Sequence, residues 1–186
     1  MNQICSEERL QELVATMQNE QGDDLQECER LLVEYPEDAR LHFLRGSILA
    51  GIGRPIEAMP ALRRAVELAP DFLLARFQLG FFQLTSGEAA DALGTWGPLA
   101  LLPADHYLRL FVGGLTHLIR DEFTDALDQL RAGMAANLEN PPLNNDMAML
   151  AGQIEQLMRG DVENASGDAS ATSLLLGQFS DRGPLH

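Results

Sequence analysis

Residues 71–103 read DFLLARFQLGFFQLTSGEAADALGTWGPLALLP. Phe72, Leu73, Ala75, Phe77, Leu79, Phe81, Phe82 and Leu84 are apolar and cover most of a helix predicted over residues 71–85. Gly80 sits inside that helix. A glycine there costs about 1 kcal/mol relative to Ala, so close approach of a partner helix is its expected cause. Ser86, Gly87 and Glu88 break the run. A second helix is predicted over residues 88–101, with Ala89, Ala92, Leu93 and Trp96 on one face. Leu102 and Pro103 end it.

The same plan recurs on both sides with a period of 34 residues. Gly46, Gly80 and Gly114 form one series, Ala58, Ala92 and Ala126 a second, and Phe43, Phe77 and Phe111 a third. Pro36 and Pro70 start a fourth. A fixed period of this size is the signature of a helical solenoid. Upstream, helices are expected over residues 39–52 and 55–68, with Pro55 suited to a first helical position. Downstream, they are expected over 104–119 and 122–136, closed by Asn140, Pro141 and Pro142. Pro60 and Pro98 each remove a backbone donor from a predicted second helix, so those helices should be kinked or short.

These residues resemble the tetratricopeptide repeat (TPR) family. Its pattern puts a Gly in the first helix, a small residue early in the second, a bulky one four later and a Pro at the end. Gly46, Ala58, Leu62, Ala65 and Pro70 match it, as do Gly80, Gly87, Ala92 and Trp96, with Pro103 one place early. Gly114, Ala126 and Leu130 match more weakly. The resemblance spans residues 25–157. It implies an all-α, right-handed solenoid of helical hairpins. Three repeats would occupy residues 37–140, after a degenerate N-terminal helix pair in 1–36 and before a capping helix in 141–160. Cys28 falls in the series of Leu62, Trp96 and Leu130, so it is expected to be a buried thiol. Residues 161–173 read as a flexible linker. Beyond it, Leu174, Leu175, Leu176 and Phe179 make the tail apolar again.

Composition narrows the function classes. The net charge is −15 and the pI about 4.5. Nucleic acid and anionic membranes are therefore poor partners, because phosphate contacts need clustered cations. The acidity serves solubility, or holds basic or aggregation-prone clients. All 13 basic residues are Arg, which excludes Schiff-base chemistry on a lysine and points to a high-GC bacterial source. Cys5 and Cys28 form neither a close pair nor a metal spacing, which fits a reducing compartment. The N-terminus lacks a basic region followed by an apolar run, and no run of about 18 apolar residues exists. A cytoplasmic protein without membrane insertion is expected.

No motif for chemistry stands out. His42, His106, His117 and His186 show no ligand spacing on one helix face, and His117 is expected in the core or at its rim. There is no phosphate-binding glycine loop, nucleophile elbow or His-Glu-x-x-His. Neither enzymatic activity nor a cofactor is expected.

What remains is binding. In the TPR family the first helix of each repeat lines a concave groove, and solenoids of this kind hold other chains. The groove-facing offsets select Phe43, Leu44, Ser47 and Ala50, then Phe77, Gln78, Phe81 and Leu84, then Phe111, Val112, Leu115 and Leu118. They form either an apolar peptide groove with a ladder of three phenylalanines, or core between helices. The family's groove for the C-terminal carboxylate of heat-shock chaperones uses Lys, Arg and Asn at such places. No cation stands there in this chain, so that co-chaperone role is not expected. Asn144 and Asn145 either bond a bound peptide or sit at a solvated helix start. The expected role is an adaptor or scaffold binding an apolar segment of another protein. The alternative is a dedicated chaperone, similar in general build to those of bacterial secretion systems. Leu174, Leu175, Leu176 and Phe179 are expected to enter the groove of the same molecule, or of a second copy to give a homodimer; a linker of about 13 residues reaches roughly 20 Å.

Overall fold

The computed structural model describes residues 4–18 and 24–160. The apolar tail residues Leu174, Leu175, Leu176 and Phe179 lie outside the described residues. The described residues form an all-α protein without strands. In chain order the helices are α1 (Glu7–Gln18), α2 (Asp24–Glu34), α3 (Ala39–Gly51), α4 (Pro55–Leu68), α5 (Leu73–Thr85), α6 (Ala89–Trp96), α7 (Tyr107–Ile119), α8 (Phe123–Ala136) and α9 (Pro141–Arg159). A 3-10 turn, Gly97–Leu101, follows α6 directly.

Helix boundaries follow local chemistry. Asp38 caps α3, its carboxylate accepting the Arg40 N–H at 3.0 Å. Pro55 opens α4 and Pro141 opens α9. The turns inside successive hairpins place Gly53, Gly87 and Asp121 in left-handed backbone, at φ 72°, 84° and 58°. These three positions share the 34-residue period. Asp tolerates the conformation better than most side chains because its short carboxylate bonds locally.

The two prolines act differently. At Pro98 α6 gives way to the 3-10 turn, so that helix is short, with 8 residues. Pro60 lies inside α4, which runs on for 14 residues. The carbonyl that Pro60 leaves unbonded belongs to Ile56, whose residue is 89% exposed, so water can satisfy it.

The molecule divides into two compact units, the boundary falling at Leu79 and Gly80 inside α5. In the first unit, Leu10, Leu13, Cys28, Leu31 and Leu41 form a core cluster with Cys5 and Ile48. Cys28 is fully buried, as its place in the bulky series predicts, and its thiol donates to the Leu41 carbonyl at 3.4 Å. Burial pushes that thiol up to about 12. Farther along, α3 meets α4 at Gly46. A Cβ added there would lie 2.7 Å from the Leu62 side chain, so glycine allows the two helices to close.

In the second unit the same relation appears twice. A Cβ on Gly80 would overlap the Trp96 indole, and one on Gly114 would lie 2.8 Å from Leu130 Cγ. The three glycines and their bulky partners share one spacing of 16 residues. Trp96 and Leu130 are buried. α9 covers α8 with Met147, Leu150 and Ile154 turned inward, while Leu157 is half-buried. Asn137 fixes the corner between α8 and α9: its side chain donates to the Asn140 carbonyl and Asn144 Oδ1, at 2.8 and 2.9 Å.

Candidate functional site

α3 carries the openest of the three predicted faces. Phe43, Leu44, Ser47 and Ala50 are all half-buried, while Leu41, Gly46, Ile48 and Leu49 on the other side of the helix are buried. Phe43 packs on Phe72 with ring centroids 5.0 Å apart and planes tilted by 51°. Ser47 Oγ donates to the Phe43 carbonyl at 3.0 Å and lies 3.3 Å from Gln78 Oε1. All these residues belong to the first unit. They make an aromatic pair beside a small polar group, with most of their surface already covered.

The remaining predicted positions close progressively. On α5, Gln78 and Phe81 are half-buried, but Phe77 and Leu84 are buried. On α7, Phe111, Val112, Leu115 and Leu118 are all buried, and only Val112 keeps measurable exposure, at 7%. Phe111 is held by α8: its ring fills the space a Cβ on Gly133 would take, 2.5 Å away. Tyr107 meets the same ring edge-on with centroids 6.0 Å apart. The expected ladder of three accessible phenylalanines is therefore corrected to one half-open ring, Phe43. The core alternative describes Phe77 and Phe111. Asn145 is exposed, whereas Asn144 bonds internally, its amide donating to the Met134 and Asn137 carbonyls at 3.3 and 3.1 Å.

A feature of the second unit was not anticipated. Because α6 ends at Trp96, α7 is flanked there by the 3-10 turn and the loop after it. An open cavity of about 390 Å³ runs along α7. It is lined by Arg109, Val112, Gly113, Thr116 and Arg120 from α7 and its C-cap, and by Ala100, Ala104 and Gln129. No Asp or Glu lines it, in a chain with 28 acidic and 13 basic residues.

The arginines of this cavity differ from most of the others among the described residues, although Arg76 also donates to a backbone carbonyl, that of Pro70 at 2.8 Å. Arg9, Arg30, Arg40, Arg45, Arg54, Arg64, Arg131 and Arg159 each pair with a carboxylate. Arg109 instead donates to the Leu102 carbonyl at 2.6 Å. The Arg120 side chain makes no hydrogen bond or ion pair among the described residues, and both are exposed. Pro98 marks where α6 stops, but no sequence signal marks the surface that then faces α7.

His117 also reaches this cavity, its Nδ1 lying 2.6 Å from Glu122 Oε2. With Asp125 these residues place three potential metal-ligating atoms within 4.8 Å of one another. Both carboxylates are exposed and the histidine already bonds Glu122. The cluster spans the turn between α7 and α8, so a search for ligands on one helix face misses it.

No helix among the described residues is long and apolar enough to cross a membrane. No protein-family model matches the chain, and no match to a characterised protein is found.

Proposed function

We propose that this chain is a non-enzymatic protein-binding module of the tetratricopeptide type, a cytoplasmic adaptor whose hairpins hold an apolar segment of another polypeptide. The recurrence of one close contact supports the hairpin-repeat reading: Gly46 with Leu62, Gly80 with Trp96 and Gly114 with Leu130. Residues serving one packing purpose at a fixed period build a scaffold, and the function of a scaffold lies in the surface it presents.

The observation that carries the binding reading is the asymmetry of α3. Its four groove offsets stay half-open while its other face is buried. Completing the burial of Phe43 and Leu44 favours an apolar partner, and the Ser47 and Gln78 polar groups supply orientation. A ring already mostly covered contributes about 2 kcal/mol at most on full burial. After the costs of association, single-segment binding is expected to be no tighter than micromolar.

A peptide array of apolar and amphipathic 12-residue segments tests this. Wild-type protein should bind a subset of apolar peptides, Phe43→Asp should lose them, and Asn145→Asp should keep them. Binding indifferent to Phe43 would overturn the assignment of the site.

A further inference from the structure

We propose that the cavity along α7 takes an acidic segment of a partner polypeptide, bound extended between Arg109 and Arg120. The proposal rests on the protein-binding reading above and adds a second contact surface, with its own ligand chemistry.

Charge complementarity carries it. In a chain of net charge −15, the guanidinium groups of Arg109 and Arg120 have no carboxylate partner among the described residues, and both line one cavity from which Asp and Glu are missing. Exposed arginines elsewhere on this surface find acidic neighbours within 3.5 Å. Arginine stays protonated and presents a planar fork suited to carboxylates. An incoming carboxylate at this place meets two cations; no Asp or Glu lines the cavity, and Glu122 beside it is bonded to His117 Nδ1.

Spacing sets the ligand. Arg109 in α7 and Arg120 at its C-cap are 11 residues apart, which is roughly 16 Å along a helix axis. An extended strand advances about 3.3 Å per residue and alternates its side chains, so two carboxylates four residues apart share one face about 13 Å apart, within reach of both long arginine side chains. The cavity also offers Val112 and Ala104 as apolar lining, the bare backbone of Gly113, and Gln129, whose Oε1 would stand 3.2 Å from a Cβ on Gly113. Small or apolar side chains between the two carboxylates suit that lining. The open side suits a continuing chain, which must enter and leave, better than a small enclosed molecule.

The test uses the full chain and a fluorescent, end-blocked pentapeptide with Glu at its first and fifth positions and Ala, Val and Ser between. Binding is followed by anisotropy at low salt. The peptide should bind wild type, and its double-Gln analogue should bind at least tenfold more weakly. Arg120→Gln should weaken the Glu peptide by about tenfold, the scale of one charge-assisted bond, and should flatten the salt dependence. The Arg120 side chain makes no bond among the described residues, and its backbone N–H cap to His117 survives the substitution, so the variant should melt like wild type. Arg109→Gln gives a second, independent loss. Equal binding of the Glu and Gln peptides, or of wild type and Arg120→Gln, would overturn the proposal. So would full displacement by millimolar inorganic phosphate, which marks a small-anion site. Self-association of wild type that disappears in Arg120→Glu would also overturn it, marking a second copy as occupant. If apolar peptides still bind through Phe43 while the Glu peptide does not, this inference alone fails. If neither binds, the protein-binding reading fails with it.

Discussion

Asp38 and Cys5, 33 residues apart, are joined by a hydrogen bond in which the Cys5 N–H donates to Asp38 Oδ2 at 2.8 Å. The same carboxylate accepts from the Arg40 side chain at 2.7 Å and caps α3 through its other oxygen, while Arg40 returns to the Cys5 carbonyl at 2.7 Å. Asp38 is 2% exposed. This cluster ties the segment before α1 to the start of α3.

Asp38→Ala should therefore destabilise the first unit by about 2 kcal/mol. It removes a helix cap and leaves buried donors without an acceptor. Urea denaturation followed by far-UV circular dichroism measures it. A change under 0.5 kcal/mol would mean that the cluster contributes little.

The same carboxyl predicts an acid dependence. Burial alone would raise its pKa, but the Arg40 guanidinium and the N–H groups of Cys5 and Arg40 outweigh burial and hold it below the ordinary 3.8. A depressed folded pKa gives stability that is fully present above the unfolded value and is lost as pH falls through the folded one. Wild type should lose this contribution below about pH 4, and Asp38→Asn should show a shallower decline of melting temperature over that range. Parallel curves would contradict the assignment.

Gly80 and Gly94 make a matched pair for the packing account. A Cβ at Gly80 strikes the Trp96 indole, whereas one at Gly94 meets nothing within 4 Å. Gly80→Ala should cost about 1–3 kcal/mol through overpacking. Gly94→Ala, inside α6, should stabilise by up to about 1 kcal/mol through helix propensity. Opposite signs in chemical denaturation are the expected outcome.

The glycine contacts were legible in the sequence because each needs only a period and a size difference: a glycine and a bulky residue 16 places on. The helix order was legible for the same reason. The groove was not. Offsets that point into a concave face adjoin those that point into the core, and a shift of a few tens of degrees about the helix axis decides between them. Phe111 turned towards α8, where Gly133 leaves room for its ring; that glycine was the available signal. Asp38 stands directly before a predicted helix, so its capping role had a signature, but Cys5 as its distant partner had none. The α7 cavity exists because α6 ends early. Pro98 foretold the short helix without the surface that would face it.

Cys28 gives a check on the first core. It is fully buried and its thiol is pushed up to about 12, so a thiol reagent at pH 8 should leave it untouched in folded protein. It should react only at the rate of unfolding, and fully in denaturant. Fast labelling under native conditions would contradict its burial.

The central claim is that the open face of α3 holds a partner's apolar segment. The most direct measurement replaces Phe43 with a photoreactive phenylalanine analogue and irradiates the protein with a peptide it binds. Mass spectrometry then locates the crosslink. The account predicts that position 43 crosslinks to the peptide, and that an analogue at the exposed position 145 does not. A peptide that binds undiminished yet never crosslinks to position 43 would contradict it.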